Sequence, residues 1–136
     1  MFFLTGLALL FTAGFHFGAA QVDNCARNYT VHLGDTCDAI SAAQNSSIYQ
    51  LASVNTNINA GCTNLALGEI LCLGITGQDC MDTYVIVSGD NCVAIAAAEG
   101  TTYDILLANN PNVDATCANI YLGEVSLSYC GIFILS

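Results

Sequence analysis

Residues 33–44 read LGDTCDAISAAQ, and residues 88–99 read SGDNCVAIAAAE. A Gly-Asp-x-Cys element followed by a small-residue run with one isoleucine therefore occurs twice, at an offset of 55 residues. Outward from these stretches, residues 25–69 align on 80–124 without a gap. Identical pairs include Cys25/Cys80, Tyr29/Tyr84, Gly34/Gly89, Asp35/Asp90, Cys37/Cys92, Ile40/Ile95, Leu51/Leu106, Asn55/Asn110, Asn57/Asn112, Cys62/Cys117, Asn64/Asn119, Gly68/Gly123 and Glu69/Glu124. Ungapped self-similarity of this kind marks two copies of one supersecondary unit.

Each copy reads in the same order. Tyr29-Thr-Val31-His alternates apolar and polar residues, as a half-buried strand does. Gly34 supplies a turn, and Asp35 is expected to cap the helix that follows at 36–44, as Asp90 does in the second copy. Three- and four-residue spacing puts Cys37, Ile40 and Ala43 near one face of that helix. Ser47-x-x-Gln50 has the form of a capping box and opens a second helix, with Leu51 and Val54 inside. Asn55 to Asn59 ends it, and Gly68 to Leu73 returns as a strand. The expected fold class is α+β, with two tandem small β-α-α-β domains stapled by disulfides.

The chain has 136 residues, and its first twenty, MFFLTGLALLFTAGFHFGAA, form an apolar run ending in small residues. That pattern predicts a signal peptide over 1–20, cleaved after Ala20. The domains then fall at 25–73 and 80–130, with a linker at 74–79 and an apolar tail at 131–136. Eight cysteines remain: Cys25, Cys37, Cys62, Cys72, Cys80, Cys92, Cys117 and Cys130. An even number in a small secreted chain predicts disulfides, and three pairings are open within each copy. The cysteine intervals of 12, 25 and 10 residues in the first copy contain no C-x-x-C pair, so no metal is expected. Two sequons, Asn28-Tyr-Thr and Asn45-Ser-Ser, predict glycosylation at Asn28 and Asn45.

One basic residue, Arg27, stands against eleven carboxylates, for a net charge of −10. Such a chain repels nucleic acid and anionic membrane surfaces, so neither is an expected partner. Catalysis is not expected: Asp35 and Asp90 are accounted for by their place at helix starts, and no other carboxylate pair is marked out. The one histidine after residue 20, His32, aligns with Val87, so no histidine site is repeated. No cofactor is implied. Tyr29 and Tyr84 read as strand residues facing the core, leaving Tyr49, Tyr103 and Tyr121 as candidates for stacking against a sugar ring.

The spacing Tyr29-x-Val31-x-x-Gly34-Asp35-Thr36-Cys37-x-x-Ile40, Leu51-x-x-x-Asn55, Leu67-Gly68-Glu69-x-Leu71-Cys72 resembles the lysin motif, LysM, in its cysteine-containing fungal form. The second copy follows with Tyr84-x-Ile86-x-x-Gly89-Asp90-Asn91-Cys92-x-x-Ile95, Leu106-x-x-Asn109-Asn110-Pro111 and Leu122-Gly123-Glu124. The resemblance implies a non-enzymatic protein that binds N-acetylglucosamine polymers, chitin or peptidoglycan, in a shallow groove between two loops. By position these loops are Gly34, Asp35 and Thr36 with Thr56, Asn57 and Ile58, and Gly89, Asp90 and Asn91 with Pro111, Asn112 and Val113. It further implies a secreted or cell-wall-associated effector that sequesters chitin fragments from host immunity or shields the fungal wall, and it allows a dimer bridged by the ligand. A cysteine-rich structural surface protein is the competing reading; the chain lacks the adjacent Cys-Cys pairs of hydrophobins.

Two departures matter. Thr56 stands where the family commonly has the proline found at Pro111, which makes the second groove the better-ordered one. Cys130 falls three residues beyond the position equivalent to Cys72, and Val125, Leu127 and Tyr129 alternate one residue out of step with Leu71 and Leu73. A register slip of the closing strand is the expectation this raises.

Overall fold

Glycines at 34 and 89, both at φ near +90°, reverse the chain after its first strand in each copy and set where the helices begin. The computed structural model describes residues 22–130, so the signal peptide and the apolar tail read from the sequence lie outside the described residues. The first copy consists of β1 (Cys25–Thr30), α1 (Cys37–Gln44), α2 (Ile48–Val54) and β2 (Ile70–Ile75). The second consists of β3 (Thr83–Val85), α3 (Cys92–Ala98), α4 (Tyr103–Asn109) and β4 (Val125–Leu127). Each copy is a two-stranded antiparallel sheet closed by two helices.

The helix starts differ from the sequence reading in one respect. Thr36 caps α1, its hydroxyl accepting from Ala39 N at 3.2 Å, and Asn91 caps α3, accepting from Ala94 N at 3.0 Å. Asp35 and Asp90 are not caps. The turn closed by Asp35 N donating to His32 O folds Asp35 backward, where its carboxylate accepts from His32 N at 2.7 Å. Ser47 caps α2 as expected, but Gln50 does not reach back to it. Its side chain instead donates to Leu73 O and accepts from Cys80 N. On α1 the inward residues are Cys37, Ile40 and Ser41; Ala43 is exposed, because the helix turns Ser41 rather than Ala43 toward the core.

Two cores result. The first gathers Val31, Cys37, Ile40, Leu51, Leu71 and Leu73, and the second Ile86, Cys92, Ile95, Ala96 and Leu106. Both are small for independent stability, and covalent staples supplement them. Cys25 pairs with Cys72, Cys37 with Cys62, Cys80 with Cys130 and Cys92 with Cys117. The order is first to fourth and second to third in both copies. With loops of 47 and 25 residues in the first copy, chain entropy alone gives about 3.5 to 4 kcal/mol per bridge.

The closing strand of the second copy does not slip. Asn28, Tyr29 and Thr30 face Cys72, Leu71 and Ile70; Thr83, Tyr84 and Val85 face Leu127, Ser126 and Val125, the same pairs moved by 55. What changes is the side chains. Ser126 occupies the position of Leu71, while Val125 and Leu127 are 1% and 3% exposed without belonging to the second core. They are buried because α1 and α2 of the first copy pack against β4. The shifted alternation is thus the signature of a strand with a neighbour on each face, not of altered pairing.

The connection between the copies is pinned to the first copy at one point, and the copies meet directly at another. Arg27 donates from Nε to Asp79 Oδ2 at 2.6 Å and from Nη2 to Asp79 Oδ1 at 2.7 Å, and from Nη1 to Gln44 O at 2.6 Å. Gln50 joins the same cluster through Asp79 Oδ1. A side chain at Gly74 would push aside the ends of Asp79 and Gln50 and so disturb this cluster. The other point is Tyr121, whose hydroxyl donates to Asp38 Oδ1 at 3.0 Å across the seam.

Candidate functional site

The loop after each first strand forms one lip of the candidate groove. Gly34 and Thr36 are exposed and Asp35 is half-buried; Gly89, Asn91 and Asp90 repeat that pattern. Tyr29 Oη donates to Asp35 Oδ2 at 2.9 Å, and Tyr84 Oη donates to Asp90 Oδ2 at the same distance. The backbone N–H of His32 is the main reason that Asp35 titrates below the usual carboxylate range, with the Tyr29 hydroxyl second. The same hydrogen bond raises Tyr29. Asp35 is therefore an anion spent as an acceptor, and at neutral pH it has no proton to give.

The second lip begins where a buried asparagine ends a helix. Asn55 Nδ2 donates to Leu51 O and Cys72 O, and its Oδ1 accepts from Cys72 N at 2.8 Å. Asn110 makes the equivalent bonds to Leu106 O, Leu127 O and Leu127 N. Each thereby ties the end of its helix to the middle of a strand. The chain then turns, with Ile58 N donating to Asn55 O and Val113 N to Asn110 O. Thr56 and Asn57, like Pro111 and Asn112, are left at the surface, while Ile58 and Val113 are half-buried against their cores.

Two residues bind the lips together in each copy. Cys37 and Cys62, with Cα atoms 6.0 Å apart, join the residue after Thr36 to the loop beyond Ile58; Cys92 and Cys117 do the same at 6.1 Å. Glu69 O accepts from Val31 N, next to the first lip, while its carboxylate accepts from Asn57 Nδ2 on the second lip and from Ala66 N. Glu124 repeats this with Ile86 N, Asn112 Nδ2 at 2.7 Å and Tyr121 N. Glu124 is 2% exposed, and burial raises its pKa. Asn64 and Asn119 complete the frame by donating to Asn57 O and Asn112 O.

The lips are thus fixed from behind and open in front. Among the described residues the N–H groups of Gly34, Thr36, Thr56 and Asn57 find no acceptor, nor do those of Gly89, Asn91 and Asn112. Asn57 and Asn112, by contrast, commit the side-chain N–H and the carbonyl to their own loop. Sequence reasoning misses the supporting Asn55/Asn110, Asn64/Asn119 and Glu69/Glu124, although all are identical pairs of the repeat.

Of the tyrosines proposed for stacking, Tyr49 lines a small apolar cavity at the seam, with Val54, Ile75, Ala108 and Leu127. Tyr103 packs on the second core and donates to Ala115 O. Tyr121, 47% exposed, lies next to the turn held by Glu124, which accepts from its backbone N–H. Among the described residues no cluster of His, Cys, Asp and Glu is arranged to hold a metal ion, and no helix is long and apolar enough to cross a membrane.

Residues 29–74 and 84–125 each match the sequence profile of the LysM domain. The chain belongs to the LysM family. These two LysM domains coincide with the β-α-α-β units described above. Similar proteins include "Secreted LysM effector LysM1" of Trichophyton rubrum, 29% identical over 74% of this chain and 49% of that protein. A secreted LysM effector of Pochonia chlamydosporia is 33% identical over 81% of this chain and 15% of that protein. "Secreted LysM effector ldpA" of Aspergillus fumigatus is 28% identical over 74% and 35% respectively. The chain thus spans half or less of the length of these LysM relatives.

Proposed function

We propose that the protein is a secreted, non-catalytic carbohydrate-binding protein that takes N-acetylglucosamine oligomers, chitin foremost, in its two grooves. The observation that carries this reading is the pair of lips in each LysM domain. A disulfide and a glutamate hold them together, and peptide N–H groups without an acceptor in the described residues border a half-buried Ile58 or Val113. An acetamido group offers a carbonyl to such donors and a methyl to such an apolar contact. Each hydrogen bond contributes about 0.5 to 1.5 kcal/mol net, so one groove binds weakly and two on one chain gain by avidity. Neutral sugar also suits a chain whose net charge of −10 disfavours anionic ligands.

The fungal relatives named as secreted effectors support an effector role, in which binding withholds chitin fragments from host receptors or covers the fungal wall. The test is retention on insoluble chitin measured beside cellulose, xylan and peptidoglycan. Selective retention on chitin is the expected result. Retention on none of the four would end the carbohydrate reading, and retention on peptidoglycan alone would redirect it to bacterial walls.

A further inference from the structure

A second concave surface lies away from the grooves. It is a polar cleft of about 460 Å³ bordered by Asn45 of the first copy and by Asp82, Thr83, Glu99, Ser128 and Tyr129 of the second. Its size is in the range of sites that hold small ligands. Tyr129 is 57% exposed and presents a ring, and Asp82 and Glu99 offer carboxylates, a combination that suits sugar C–H faces and hydroxyls. Asn45, the one residue of the first copy on its rim, opens the sequon Asn45-Ser-Ser47.

Asn45 ends α1 in the left-handed region at φ 49°, a conformation asparagine tolerates, and is exposed. Its peptide groups are committed, the N–H to Ser41 O and the carbonyl to Arg27 Nη2 at 3.3 Å. Its side chain makes no hydrogen bond among the described residues. Ser47, the hydroxyl residue of the sequon, becomes the buried cap of α2. That burial is no obstacle, because the sugar is added to the chain before folding is complete.

We infer that Asn45 carries an N-linked glycan whose first sugars seat in this cleft and brace one copy against the other. In the transfer, Asn45 Nδ2 attacks the anomeric carbon of a polyprenyl diphosphate oligosaccharide, the donor used in the secretory pathway. The N–C bond forms, the C–O bond to the diphosphate breaks, polyprenyl diphosphate leaves, and one Nδ2 proton passes to base. Asn28 differs: it is exposed on β1 and does not border this cleft. The inference depends on passage through the secretory pathway and not on what the grooves bind.

The test is expression of the full chain in a eukaryotic secretory host, glycopeptide mapping, and timed glycosidase release from folded and denatured protein. Modification at Asn45 is expected, with release from the folded protein about tenfold slower than from the denatured protein, the factor a contact of ordinary strength confers. Tyr129→Ala should restore fast release, and Asn45→Asp, which keeps the backbone conformation accessible, should remove the glycan while leaving folding intact. An unmodified Asn45 in the secreted protein would overturn the inference. So would release from the folded protein at the denatured rate, or protection that survives Tyr129→Ala.

Discussion

Asn55 and Asn110 show how much a single polar side chain holds in a domain of this size. Each satisfies two carbonyls and one N–H that the sheet and helix leave open. Asn55→Ala leaves those groups buried without partners and is expected to destabilise the oxidised protein by about 2 to 4 kcal/mol in urea unfolding. Asp35 gives a prediction with a sign. Its pKa is lowered in the folded state from the ordinary 3.8, so the folded form binds fewer protons than the unfolded one around and below that value. Its contribution is complete above pH 3.8 and is lost as the pH falls through the folded value. Asp35→Asn should therefore flatten part of the acid limb of the stability profile, measured by urea midpoints from neutral pH downward. Glu124 has the opposite sign: its raised pKa means that charging it as the pH rises costs stability.

Among the elements, the helices are readable from their caps and spacing, and the exceptions have local causes. Asp35 and Thr36 are both good capping residues, and only the backward fold of the Gly34 turn decides between them. The pattern of β4 misleads for a different reason: Val125 and Leu127 answer to the first copy, which no local periodicity records. Disulfide pairing is not readable, since cysteine spacing does not distinguish three connectivities. The lips of the candidate groove are placed by family resemblance. Their supports, Glu69 and Asn64, are visible in the sequence only as repeated identities without an evident task. The lips also differ between copies: Pro111 fixes φ where Thr56 does not. Pro111→Ala combined with Asn112→Ala is expected to weaken binding of chito-oligosaccharides more than Thr56→Ala with Asn57→Ala, as measured by calorimetry. The reverse order would refute the asymmetry.

At the scale of the molecule, the seam packs the first domain's helices on the second domain's closing strand. Arg27, Asp79 and Gln50 anchor the connection between them, and none has a like residue at the equivalent position, where Asp82 and Ile105 replace Arg27 and Gln50. Arg27→Ala leaves Asp79 without its cation in a partly buried site. The expected loss is about 2 to 3 kcal/mol, together with a broader thermal transition as the copies uncouple. Calorimetry reads both; an unchanged, sharp transition would show that the packing of α1 and α2 on β4 suffices. Tyr121→Phe removes only the hydrogen bond to Asp38 and should cost no more than about 1 kcal/mol.

The placement of Arg27 has a practical consequence. As the sole lysine or arginine of the chain, it offers a trypsin-type protease one bond to cut, that between Arg27 and Asn28. That bond lies within β1, whose ladder to β2 must open before a protease can bind it in extended form. The guanidinium is meanwhile occupied by Asp79 and the Gln44 carbonyl. The protein therefore contains its own gauge of local opening: the rate of a single clip. The severed segment stays attached through Cys25–Cys72 until reduction reveals it.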